Sequence, residues 1–124
     1  MTTSRRYAAS LGAIVLAASL LAIDAASGAS RLSLQADPHG KIRFNKKTLT
    51  AKAGTVTIVM TNPKTSGLHH GIAVEGNGVD KDGKIVAPGK SSTLTLKLKK
   101  GRYTFYCNND GHEGLGMKGT LIVN

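Results

Sequence analysis

Residues 102–123 read RYTFYCNNDGHEGLGMKGTLIV, two apolar runs joined by a glycine-rich loop. Tyr103, Phe105 and Cys107 alternate with other residues, and Lys118 to Val123 closes the chain as a second short run. Alternation with period 2 is the mark of a half-buried β-strand. Cys107, His112 and Met117 fall five residues apart twice, which places Cys-x4-His-x4-Met on the loop between the last two strands. Thiolate and thioether are soft ligands and imidazole is borderline. Together they favour copper, which cycles between a soft monovalent and a harder divalent state. A trigonal site of two histidines and one cysteine with a weak axial methionine needs one further histidine from elsewhere in the fold.

His69 and His70 are the candidates for that ligand, and strand parity separates them. In the run LHHGIAV, His70 shares a face with Leu68, Ile72 and Val74, the face expected to point inward. His69 falls with Gly71 and Ala73 on the other face. His70 is therefore the predicted fourth ligand beside Cys107, His112 and Met117. Singly, such residues mostly pack: a buried cysteine acts as a small apolar residue and a loop methionine as filler. Their joint spacing behind a strand, with an inward histidine on another strand, is hard to explain without a metal.

The remaining runs agree with a β protein. Leu32, Leu34 and Ala36 alternate before Asp37-Pro38-His39-Gly40 breaks the pattern, and Ile42 and Phe44 alternate after it. Val56, Ile58 and Met60 share a face until Asn62-Pro63 ends their run; Leu94, Leu96 and Leu98 do the same. Such patterning, with turn signals at Gly54, Pro88-Gly89 and Gly101, predicts an antiparallel sandwich or barrel with almost no helix. Glu75 to Lys90 reads as a long connection containing one short strand. Asp80-Lys81-Asp82-Gly83 within it reads as a hairpin turn, since a calcium loop would need a closing Glu. His39 reads as a solvated turn residue.

Composition narrows the functional classes. The chain has 124 residues, 40% of them hydrophobic, with 17 Lys+Arg against 7 Asp+Glu and a net charge of +10. One cysteine excludes an intramolecular disulfide and any centre that needs two thiolates from one chain. The four histidines cannot furnish a second copper cluster of the kind that reduces oxygen or nitrite. At the N-terminus, Arg5 and Arg6 precede an apolar run from Ala8 to Ile23, and Ser27-Gly28-Ala29 offers a small-x-small cleavage site. That order predicts an export signal over residues 1–29, with a hint of the twin-arginine type in Ser4-Arg5-Arg6; the alternative is an uncleaved anchor. Cleavage after Ala29 removes 29 of the 124 residues and leaves 95, carrying 15 basic and 6 acidic groups and a net charge of +9. Lysines 46, 47, 52, 97, 99 and 100 read as solvated strand faces and turns. No recognition module or aromatic platform accompanies them, so nucleic acid is not an expected partner.

Residues 30–124 resemble a single-domain cupredoxin of the plastocyanin, azurin and pseudoazurin group. The resemblance rests on NPKTSGLHHGIAV around the first histidine, APGKSSTLTLKLKKGRYTFYC leading to the cysteine, and GHEGLGMKGTLIV at the end. It implies an all-β Greek-key sandwich of about eight strands, with one copper ion near one end held by His70, Cys107, His112 and Met117. One position departs from the family pattern, which places Asn directly after the first histidine to tie two loops together; here Gly71 stands there. Its backbone N–H can still reach the Cys107 sulfur, but the side-chain tie is expected to be lost.

The expected function is single-electron transfer by a small exported blue copper protein. The alternative is an extracytoplasmic copper carrier or buffer, and a metal-free adhesive or signalling β-domain is a third class. Expected partners are redox proteins such as cytochromes or membrane oxidoreductases bearing acidic docking patches, with peripheral membrane contact and a monomeric state also expected. Leu68 and Leu115, with Gly114 and Gly116, are expected to surround His112 with an apolar docking patch.

Overall fold

The computed structural model describes residues 28–124, and all but the last two residues of the expected export signal lie outside them. Eight strands follow one another: β1 Ser30–Gln35, β2 Thr48–Ala51, β3 Gly54–Thr61, β4 Ala73–Gly76, β5 Val79–Asp82, β6 Ser91–Leu98, β7 Gly101–Tyr106 and β8 Lys118–Val123. A single 3-10 turn, Lys64–Ser66, stands between β3 and β4. Among the described residues no helix is long and apolar enough to cross a membrane.

The alternation in β6 is complete, with Ser92, Leu94, Leu96 and Leu98 inward and Ser91, Thr93, Thr95 and Lys97 outward. Val56, Ile58 and Met60 of β3 point to the same interior, and antiparallel pairing sets Val56 opposite Leu96 and Ile58 opposite Leu94. β1 joins β3 in parallel and completes a three-stranded sheet in the order β1-β3-β6. The second sheet runs β2-β8-β7-β4-β5. Its inward residues include Leu49, Val74, Tyr103, Phe105, Leu121 and Val123, all buried. Phe105 meets Phe44 at 5.8 Å between ring centroids with the planes tilted by 52°, a favoured aromatic geometry. Gly119 faces Phe105 on the neighbouring strand, and any Cβ there would collide with the Phe105 ring and the Lys47 carbonyl. The two inner faces form one continuous apolar core. This is the expected all-β sandwich, but its pairing is mixed where antiparallel pairing was expected: β1–β3 and β2–β8 run parallel, because each joins strands that are not joined by a tight hairpin.

Two local readings require correction. The run from Leu68 to Val74 becomes strand only at Ala73. The backbone groups ahead of it are engaged elsewhere: the Leu68 carbonyl accepts from Asn62 Nδ2 at 2.8 Å, and the Gly71 N–H donates to Cys107 Sγ at 3.4 Å. His70 is held instead by an isolated bridge to Val86, with N···O distances of 3.1 and 2.8 Å. Nor is Asp80–Gly83 the hairpin turn, because Val79–Asp82 is β5 itself. The chain reverses at Gly76-Asn77-Gly78, where φ is 130°, 49° and 79°. Gly-Asn-Gly accommodates such left-handed angles at little steric cost. His39 lies exposed in a turn closed by its own N–H donating to Asp37 Oδ1 at 2.8 Å, as expected.

Asn62 holds the approach to His70 in place. Its fully buried side chain donates to the carbonyls of Leu68 and Val86, and accepts from Ser66 Oγ at 2.5 Å. Removing it takes three hydrogen bonds from buried groups, leaving the Val86 carbonyl with only the His70 N–H and the Leu68 carbonyl with only Ser66 Oγ, at a combined cost of about 1–3 kcal/mol. Asn62→Ala should therefore lower the melting temperature by roughly 5–20 °C for a domain of this size. Thermal unfolding followed by circular dichroism checks the prediction, and a change within error would remove Asn62 as the anchor of this segment.

Candidate metal centre

The loop after β7 is wound into successive turns by its own backbone. His112 N–H donates to Asn109 O at 3.1 Å, and Leu115 and Met117 both donate to His112 O at 3.1 Å. Gly116 N–H donates to Glu113 O at 2.9 Å, and Cys107 N–H closes the loop on Met117 O at 3.0 Å. Gly111 and Gly116, at φ 76° and 98°, supply the left-handed residues that winding requires. The glycine-rich composition thus brings Cys107, His112 and Met117 to one end of the sandwich. His70 arrives from the other side through its bridge to Val86.

Three donor atoms converge there. His70 Nδ1 lies 3.7 Å from Cys107 Sγ, His112 Nδ1 lies 3.6 Å from it, and the two Nδ1 atoms are 3.2 Å apart. A point equidistant from these corners sits about 2.0 Å from each, the length of a metal–imidazole bond and slightly short of a metal–thiolate bond. One thiolate and two imidazoles at that spacing fit a copper ion. The imidazole rings are 5.0 Å apart and tilted by 53°. His70 and Met117 are fully buried and Cys107 nearly so, while His112 is half-buried. His69 is exposed. The choice of His70 over His69 agrees with this geometry, although a single bridge, and not continuous strand alternation, turns His70 inward.

Electrostatics favour a cation at the centre. Burial pushes the Cys107 thiol above its ordinary range, and the backbone N–H groups of Gly71 and Asn109 oppose that shift. Burial, then the neighbouring His112 and His69, lower His70 from 6.5 to about 4. His70 is therefore neutral at neutral pH, with its nitrogen lone pair free for a metal. A bound cation would replace the thiol proton and neutralise the buried sulfur.

The family assignment follows from comparison with known proteins. Residues 31–124 match the family model for copper-binding proteins of the plastocyanin/azurin family. The chain belongs to that family. Copper is its cofactor. Among solved structures, the chain is similar to the dithionite-reduced auracyanin of the photosynthetic bacterium Roseiflexus castenholzii, at 23% identity and a TM-score of 0.66 over 78% of this chain and 99% of that one. Auracyanin A of Chloroflexus aurantiacus, a blue copper protein, gives 22% identity and a TM-score of 0.64, covering 78% and 100% of the two chains. The copper nitrite reductase of Nitrosomonas europaea gives 20% and 0.63, but only 42% of that longer chain is covered. At these identities the likeness establishes the cupredoxin fold.

Sequence reasoning missed two features around the centre. The tie expected to be lost at Gly71 is made from the opposite side. Asn108 Nδ2 donates to Gly83 O at 2.9 Å, and Asn109 Nδ2 donates to His69 O at 2.8 Å. Two asparagines directly after a ligand cysteine were the available signal. The surface near His112 and His70 carries Leu115 at 69% exposure, as expected, and also Ile85 at 45%, next to the bridge residue Val86. Leu68 is half-buried.

The His70 shift fixes the sign of a pH effect in the metal-free protein. The unfolded chain takes up a proton at His70 near pH 6.5, whereas the folded chain does so only near 4. Stability from this residue is therefore intact above 6.5, falls as the pH drops through that window, and levels off below 4. Urea midpoints of wild type and His70→Gln should converge as the pH is lowered from 7 to 4. Parallel curves would show that His70 is not held neutral by the fold.

Proposed function

We propose that His70, Cys107, His112 and Met117 hold a single type 1 copper ion, and that the protein is an exported carrier of single electrons between redox partners. Bound copper supplies one-electron chemistry between its Cu(II) and Cu(I) states. The observation that carries the reading is the triangle of Cys107 Sγ and the two Nδ1 atoms, whose sides of 3.7, 3.6 and 3.2 Å fit one metal ion. Donors held by the two sheets and by the wound loop need to move little when the charge at their centre changes. Burial of Cys107, His70 and Met117 keeps water from the sulfur, and four protein ligands leave no open position of the kind that hydrolytic chemistry uses.

His112 is the ligand with solvent access and gives electrons a route in and out. Exposed Leu115, whose N–H is bonded to the His112 carbonyl, supplies apolar contact for a brief encounter. A carrier that handed over the metal would need ligands that exchange readily, and a thiolate at 1% exposure is poorly placed for that.

Copper-loaded protein should be intensely blue through thiolate-to-Cu(II) charge transfer, and Cys107→Ser should abolish the colour. His70→Ala should lose the blue absorption while His69→Ala keeps it. A colourless wild type that still binds copper, or the reverse histidine result, would overturn the ligand assignment.

The net charge of +9 beyond residue 29 supports partners with acidic docking surfaces. Attraction between opposite charges is screened by salt, so electron exchange with an acidic cytochrome should slow as ionic strength rises. Stopped-flow rates test this. Rates that stay flat or rise with salt would exclude steering toward acidic partners.

A further inference from the structure

Asn108 adjoins the ligand Cys107, yet its side chain is directed at the segment that carries the other buried ligand, His70. Nδ2 donates to Gly83 O at 2.9 Å, and the Gly83 N–H in turn donates to Ile72 O at 2.7 Å. Oδ1 is buried with no hydrogen-bond partner. It fills the space beside the Gly71 backbone, where any added Cβ would run into it. Gly71, buried between His70 and Ile72, donates its N–H to Cys107 Sγ at 3.4 Å. Asn108 and Gly71 are thus complementary in shape, and the backbone hydrogen bond from the His70 segment to the sulfur lies beside their contact.

We propose that Asn108 is a positioning residue, which by wedging against Gly71 and tying the Gly83–Ile72 connection holds the Gly71 N–H on the Cys107 sulfur. The inference rests on the copper-site reading for its electronic consequence, but its structural part does not. An N–H donor at the sulfur draws charge from the thiolate and favours the more electron-rich Cu(I) state, so loss of that donor lowers the reduction potential. An orphaned oxygen in the interior carries a desolvation cost that nothing at Oδ1 itself repays. The fold retains it because the amide's bulk and its Nδ2 bond set the distance between two segments.

The test begins on the metal-free protein. In Asn108→Ala, hydrogen exchange at the Gly71 amide should quicken by about five- to tenfold, the loss of one hydrogen bond, with amides of β3 and β6 unchanged. Asn108→Ser, a smaller polar replacement, serves should the alanine variant fail to fold, and should show the same change. Gly71→Ala should be destabilising in the wild type and much less so in the Asn108→Ala background, because the clash has been removed; that non-additivity is the signature of direct contact. In the copper-loaded variants the potential should fall and the charge-transfer band shift. Unchanged Gly71 exchange together with additive stabilities would overturn the proposal whether or not copper binds. Quickened exchange with an unaltered potential would confine Asn108 to a structural role and overturn the positioning claim. Failure of every variant and of the wild type to bind copper would strike the copper-site reading, and the exchange result would stand apart from it.

Discussion

One buried sulfur atom organises this molecule. Cys107 Sγ receives two imidazole nitrogens and a backbone N–H in a place from which water is excluded. Such an arrangement is costly for an isolated thiolate and favourable around a cation. The polar constraints at that end of the sandwich serve to hold it. Asn62 and Val86 secure the His70 side, the wound loop secures Cys107, His112 and Met117, and Asn108 and Asn109 tie the two sides together. The apolar core supplies most of the free energy of folding. The polar groups supply the fixed distances.

Burial divides the centre into two halves. His70 and Met117 are sealed in the core and His112 reaches partway to solvent. The sealed half keeps the donor set invariant, and the other half gives access. Opposing requirements are thereby met by different residues on different elements.

The sequence disclosed the periodic and chemical parts of this arrangement and concealed the relational ones. Strict alternation in Ser91–Leu98 showed β6 because both its burial and its pairing follow period 2. The spacing of Cys107, His112 and Met117 showed the ligand loop because all three lie on one short, turn-rich segment. The segment around His70 was read with the right inward residue and the wrong element. Its groups bond to Asn62, Val86 and Cys107, partners distant in sequence that no local pattern reveals. The replacement of a tie at Gly71 by Asn108 was invisible for the same reason: the two residues are 37 apart in the chain, and only folding shows that one fills the space the other leaves.

The outer strands of the five-stranded sheet have a bearing on self-association. β2 and β5 are each only four residues long, and β5, at the end of the sheet order, carries exposed Asp80, Lys81 and Asp82. A second copy adding itself there would have to strip water from three charges in exchange for a few ladder hydrogen bonds, a poor trade that blunts the edge as a template for fibre growth. A chain whose interior depends on Leu, Ile and Val strands would otherwise be vulnerable to that fate while folding. The same short, charged strand therefore makes that one edge a poor template for aggregation.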